Sequence, residues 1–194
     1  LLIPGFILSR LRSKGGLDIY WGDKQSITVE AAADSLFSDI NMFRVSAQTK
    51  WLRSWDEHRL FWRAEVGAVA TEDFEQVPSS LRYFAGGDQS VRGFGYKTLS
   101  PFDLDEDGEQ ELTGGQYLAV GSVEYSYPVA ENWRMAAFID AGTSTNKFAG
   151  DIATGIGAGV NWLSPVGPVR IYLARGNSDY ESQWRIHFSM GPAL

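Results

Sequence analysis

The sequence predicts an all-β fold, an antiparallel up-and-down transmembrane β-barrel, and three observations predict it. Apolar and polar residues alternate with a period of two along most of the chain. The connections between the alternating runs are short and long by turns. Seven Trp and Tyr side chains lie within a few residues of the short connections. A soluble sandwich also alternates, so the second and third observations decide. Short turns on one side and longer loops on the other are the asymmetry of an outer-membrane barrel, and amphipathic rings collect at the headgroup level as a girdle.

Taken in order, about nine runs read as strands. The first, 6–11, is the least regular. In 26–34, Ile27, Val29, Ala31 and Ala33 oppose Ser26, Thr28, Glu30 and Asp34. In 42–51, Phe43, Val45, Ala47, Thr49 and Trp51 oppose Arg44, Ser46, Gln48 and Lys50. In 59–68, Leu60, Trp62, Ala64, Val66 and Ala68 oppose Arg59, Arg63, Glu65 and Gly67. The run 116–127 sets Tyr117, Ala119, Val123, Tyr125 and Tyr127 against Ser122, Glu124 and Ser126. The run 133–142 sets Met135, Ala137 and Ile139 against Arg134, Phe138 and Asp140. Runs 154–162 and 169–174 follow, the former with Gly155, Gly157 and Gly159 on its slimmer face. In 183–190, Trp184, Ile186, Phe188 and Met190 alternate with Gln183, Arg185, His187 and Ser189.

The connections 52–58, 128–132 and 164–168 are short, whereas 71–115, 143–153 and 176–182 are longer. Trp51, Trp55, Trp62, Tyr125, Tyr127, Trp133 and Trp162 all lie close to the short ones, which places a girdle on the periplasmic side. Charges on the opposite faces, such as Arg44, Lys50, Arg63, Glu65, Glu124, Asp140, Arg170 and Arg185, are then expected to line a wet lumen, where they avoid the desolvation that lipid imposes.

Composition narrows the function classes. The 194 residues carry 24 Asp plus Glu against 17 Lys plus Arg, a net charge of -7, which argues against nucleic acid as a partner. There is no Cys, hence no disulfide framework and no thiolate metal site, and His58 and His187 are the only histidines. No apolar run approaches the roughly 18 to 20 residues of a membrane-spanning helix, but a barrel strand needs only about 9 to 11. The chain starts at Leu1 without an initiator Met or a signal-peptide pattern. It is expected to be a fragment, a single C-terminal barrel region over 1–194.

The long connection 71–115 contains the most distinctive segment. Gly86-Gly87 is followed by Val91-Arg92-Gly93-Phe94, with Arg82-Tyr83-Phe84-Ala85 ahead and Tyr96-Lys97 and Leu99-Ser100-Pro101 behind. This string resembles the signature of the superfamily of outer-membrane assembly and translocation barrels that includes BamA, TamA and the two-partner secretion transporters. It is most similar to the TamA branch. The segments Phe138-Ile139-Asp140-Ala141-Gly142, Trp162-Leu163-Ser164-Pro165-Val166-Gly167-Pro168 and Gly191-Pro192-Ala193-Leu194 resemble the same family.

The resemblance implies a barrel of about sixteen strands in the outer membrane of a Gram-negative bacterium, an even number as single-chain bacterial barrels require. Its first strands and the periplasmic POTRA domains ahead of them are then missing here. It implies that the loop folds back into the lumen, where Arg92 meets inward acidic residues. Parity independently puts Glu124 and Asp140 on polar faces, and a guanidinium can be forked between two carboxylates. The implied function is insertion or export of other outer-membrane proteins, such as autotransporters, with outer-membrane lipid around the barrel and a TamB-like inner-membrane-anchored partner. No cofactor and no enzymatic chemistry are implied. The rival functions are a two-partner secretion transporter and a passive channel or adhesin-type barrel. An odd strand count further implies abnormal closure, pairing with a second copy as a homodimer, or a first run that is not a strand.

Two weaker signals complete the reading. Asp103, Asp105, Asp107 and Gly108 match the opening of a calcium loop, but Gly114 stands where the bidentate Glu belongs, which favours a solvated acidic tip. Neither histidine has a nucleophile and base at recognisable spacing, so no catalytic residue is expected.

Overall fold

The computed structural model describes residues 2–33, 38, 40–104, 110–148, 150–179 and 182–194. Nine strands form one antiparallel sheet in chain order: β1 (Gly5–Lys14), β2 (Trp21–Ala32), β3 (Met42–Trp55), β4 (His58–Thr71), β7 (Tyr117–Ala130), β8 (Trp133–Thr145), β9 (Ala153–Ser164), β10 (Gly167–Asn177) and β11 (Ser182–Met190). A hairpin of β5 (Phe102–Leu104) and β6 (Gln110–Leu112) sits apart within the β4–β7 connection. The topology is up-and-down throughout. β1 and β11 are the sheet's two edges, so the described residues form an open section of barrel.

Alternation of burial separates two faces. On β7 and β8 the outward positions Val123, Tyr125, Met135 and Ile139 are exposed, while Ser122, Glu124, Phe138 and Asp140 are buried on the concave side. The sheet curls enough that Leu194, beyond β11, sits where a side chain on Gly22 of β2 would stand. At the tight-turn end, Trp51 stacks on Trp62 with centroids 5.5 Å apart, and Trp133 on Trp162 at 5.7 Å. These are cross-strand pairs in register, and they build the interfacial girdle from neighbouring strands.

Several strands exceed the periodic runs. Three expected short connections contract to two residues, 56–57, 131–132 and 165–166, and the expected loop 176–182 contracts to 178–181. β1 reaches Lys14 and β2 starts at Trp21 because one face of each changes character along its length. On β1 the face bearing Phe6 and Leu8 continues as Arg10, Arg12 and Lys14, which erases the apolar alternation without breaking the ladder to β2. The first run is therefore a strand.

The core lies between the long connection and the concave face. Tyr83, Ala85, Val91 and Phe94 of the connection bury against Met42, Val69, Leu118, Val120 and Ala153 of the wall. This apolar contact draws the loop inward, because it removes apolar surface of both loop and wall from water.

Candidate functional site

The loop is anchored before it reaches its tip. Tyr83 bridges Gly115 through two backbone hydrogen bonds of 2.9 and 2.7 Å. Its hydroxyl donates to the Val45 carbonyl at 2.6 Å, its ring lies under the Arg44 guanidinium, and Ser144 Oγ donates to its carbonyl. Gly67 makes room for that ring, since a Cβ there would stand 2.4 Å from it. Gly86, Gly87 and Gly93 have φ of 102°, 105° and 96°. The loop can thus double back where a side chain would be strained.

At the tip Arg92 turns into the wall with its side chain only 5% exposed. Nε and Nη2 donate to the two oxygens of Asp140 at 2.8 Å each, Nη1 donates to Glu124 Oε2 at 2.6 Å, and Nη2 also reaches Ser122 Oγ at 3.1 Å. The Arg92 backbone N–H adds a further bond to Asp140, 2.9 Å long. Asp140, on β8, is fully buried, and Ser122 donates to it at 2.6 Å. Tyr172 of β10 donates to Glu124 Oε1 at 2.8 Å. The Phe138 ring lies beneath the guanidinium, 3.4 Å from centroid to Cζ, and meets Tyr172 edge-on.

Burial alone would lower the Arg92 pKa, and the hydrogen bonds and charges of Asp140 and Glu124 outweigh it and raise the pKa above its ordinary value. Arg92 stays charged. Two carboxylates facing one guanidinium leave a negative excess, and Arg63 of β4, close enough to feel both, offsets it while donating to the Ser90 carbonyl at 2.6 Å.

Backbone contacts complete the seat. A Cβ on Gly155 of β9 would stand 1.9 Å from the Arg92 carbonyl oxygen, and one on Gly93 would stand 2.4 Å from the Gly176 nitrogen on β10. The Gly93 N–H donates to His187 Nε2 at 2.7 Å, and His187 Nδ1 meets Asp88. A backbone N–H can only donate, so Nε2 is the bare nitrogen and Nδ1 carries the proton offered to Asp88. The tip therefore touches β4 and every strand from β7 to β11.

Among the residues singled out from sequence, Gly86, Gly87, Val91, Arg92, Gly93 and Phe94 lie in this loop. Arg92, Glu124 and Asp140 are brought together in one network. Asp103 is exposed on β5, while Asp105 and Asp107 lie outside the described residues. Sequence reasoning missed Ser122, Phe138, Tyr172, Gly155 and His187. The parity of β8 put Phe138 on the polar face, which was the one available signal that an aromatic ring stood in the lumen. Below the tip a cavity of about 250 Å³ remains, lined by Lys50, Arg63, Asn161, Arg170 and Tyr172 among others.

Comparisons with known proteins bear on the family and the fold. The family model described as "Omp85 superfamily domain" matches residues 20–193. Outer membrane protein assembly factor BamA of Nitratidesulfovibrio vulgaris is 29% identical over 145 residues, covering 69% of this chain and 18% of that protein. BamA of Neisseria meningitidis serogroup B is 28% identical over 153 residues, covering 60% and 19%. The chain thus spans about a fifth of the length of these curated relatives. The crystal structure of BamA from Haemophilus ducreyi lacking POTRA domains 1-3 superposes with a TM-score of 0.77 at 19% identity, over 95% of this chain and 40% of that one. The solved structure shares the antiparallel β fold of this chain, the family match runs over 20–193, and the chain belongs to the Omp85 superfamily of Gram-negative outer-membrane proteins.

Proposed function

We propose that this chain is the C-terminal section of a barrel that inserts other proteins into the outer membrane or moves them across it, with autotransporters among its clients as in the TamA branch. The observation that carries this reading is the Val91-Arg92-Gly93-Phe94 tip, seated in the lumen by Arg92 on Asp140 and Glu124. A loop held there by several buried charge-assisted bonds obstructs free diffusion. It leaves the strand edges as the place where a client strand can pair, because an edge presents unpaired N–H and C=O groups. β11 is such an edge here. No covalent step, catalytic side chain or cofactor enters this reading. A TamB-like partner anchored in the inner membrane would deliver clients, and a second copy of the chain is the alternative neighbour for the free edges.

Deleting the full-length gene and measuring autotransporter display at the cell surface tests the reading. Display is expected to fall, and to return with the wild-type gene but not with Arg92→Ala. Undiminished display in the deletion strain would overturn it. The cavity beneath the loop favours one second reading, a passive channel. That reading expects normal client assembly in the deletion strain together with altered small-solute permeability. A two-partner secretion transporter would instead lose a single exoprotein encoded beside it.

A further inference from the structure

The outer face of β1–β3 carries a second charge cluster, remote from the loop. Lys14, Arg12, Arg10, Leu8 and Phe6 of β1 stand opposite Trp21, Asp23, Gln25, Ile27 and Val29 of β2. Trp21 and Asp23 in turn stand opposite Arg53 and Trp51 of β3. Cross-strand partners share a face. It is the outer one, because Glu30 and Arg44, of the other parity, lie inside against Tyr83.

The cluster is organised around two groups. Asp23, 1% exposed, accepts Arg12 Nη2 at 2.7 Å and Nε at 3.1 Å, and lies 3.9 Å from Arg53. The Trp21 ring has three cations near its centroid, Arg53 at 4.7 Å, Lys14 at 5.3 Å and Arg12 at 5.6 Å. Four cations thus face one carboxylate in a chain whose net charge is -7. Arg12 is 46% exposed, and Arg10 and Lys14 are exposed as well. Among the described residues no carboxylate forms an ion pair with Arg10 or Lys14.

Position tells what this excess positive charge meets. Lys14 and Trp21 flank the turn on the same side as the tight turns and the Trp girdle, at the periplasmic headgroup level. On the same face, Leu8 lies two residues above Arg10, about 7 Å along the strand, and Phe6, Leu8 and Ile27 are 65%, 59% and 45% exposed. Cations therefore stand at headgroup depth directly below bare apolar side chains at acyl depth. A strand pairing along the free edge of β1 would not cover this face, since edge and face are different surfaces.

We infer that Arg10, Arg12, Lys14 and Arg53, framed by Trp21 and Trp51, form a binding site for the phosphate headgroup of an anionic phospholipid in the periplasmic leaflet, with its acyl chains along Phe6, Leu8 and Ile27. Asp23 preorganises Arg12 and Arg53, and Arg10 and Lys14 supply the charge that the lipid neutralises. The site stands on the barrel's place in the outer membrane and is independent of the loop network and of the clients.

Native mass spectrometry of the detergent-purified full-length protein tests it, with phosphatidylglycerol, phosphatidylcholine of the same acyl chains, and glycerol phosphate as probes. Phosphatidylglycerol adducts are expected to be retained about tenfold or more over phosphatidylcholine, and the Arg10→Gln/Lys14→Gln variant to bring the two within about twofold. Equal retention of both lipids by the wild type would overturn the site without recourse to any variant. An unchanged preference in the variant, shown folded by its heat-modifiable gel mobility, would move the site elsewhere and equally overturn it. Glycerol phosphate binding as tightly as phosphatidylglycerol would identify a free-phosphate site and overturn the lipid assignment.

Discussion

The lumen face of β7–β11 and the outer face of β1–β3 both concentrate charge, but in opposite ways. Inside, Arg92 and Asp140 are almost wholly buried, and the guanidinium makes four side-chain hydrogen bonds. Outside, only Asp23 is buried, and its main partner Arg12 is half exposed. The energetics differ accordingly. Removing one member of a buried charge network leaves its partner unpaired at about 3–5 kcal/mol, whereas exposed pairs contribute about 0–1 kcal/mol. The inner cluster therefore holds structure, and the outer cluster keeps charge available to what lies beyond the protein.

This contrast can be broken most forcefully at Asp140. Asp140→Asn removes the charge facing Arg92 and replaces an acceptor oxygen with a donor, and is expected to destabilise the seated loop by about 3 kcal/mol or more. Backbone hydrogen exchange over the loop checks it. A smaller loss, about 1–3 kcal/mol, is expected for Gly155→Val, because a side chain there collides with the Arg92 carbonyl and the loop must lift. Thermal unfolding of the purified barrel reads this directly, and an unchanged midpoint would mean that the close approach is absent. Phe138→Leu keeps apolar volume but deletes the ring under the guanidinium, and is expected to cost about 1–2 kcal/mol by the same measurement. The smallest effect is expected outside. Arg10→Gln should change stability by no more than about 0.5 kcal/mol, and a large loss there would show that the two faces are not as different as their burial indicates.

The two regions also differ in how far the sequence reveals them. The runs 116–127 and 133–142 alternate cleanly, so parity alone puts Glu124 and Asp140 on one face, and their contact with Arg92 needs only the loop to fold inward. On β1 the alternation is hidden, because one face is apolar near Phe6 and cationic near Lys14. A polarity count sees no period where the backbone has one. Gly155 and His187 were not legible for another reason. Their roles depend on which loop atom comes to rest against β9 and β11, and that is set by strand register and curl across the sheet, which no local pattern encodes. The same holds for Tyr172, whose hydroxyl meets Glu124 three strands away in the sheet order. The long connection was recognisable by its glycines, yet its anchoring through the Tyr83 ring on Gly67 pairs two residues that look unremarkable in sequence.

The central claim is that Arg92 holds the loop in the lumen through Asp140 and Glu124. Hydrogen exchange at the Arg92 and Gly93 amides, compared between the full-length wild-type protein and Asp140→Asn, tests it most directly. Both amides are hydrogen-bonded in the seated loop, to Asp140 and to His187. Slow exchange in the wild type, accelerated about a hundredfold or more at Gly93 by the substitution, is the result expected from a loss of about 3 kcal/mol. Gly93 exchange that is already fast in the wild type, or equally slow in both proteins, would contradict it.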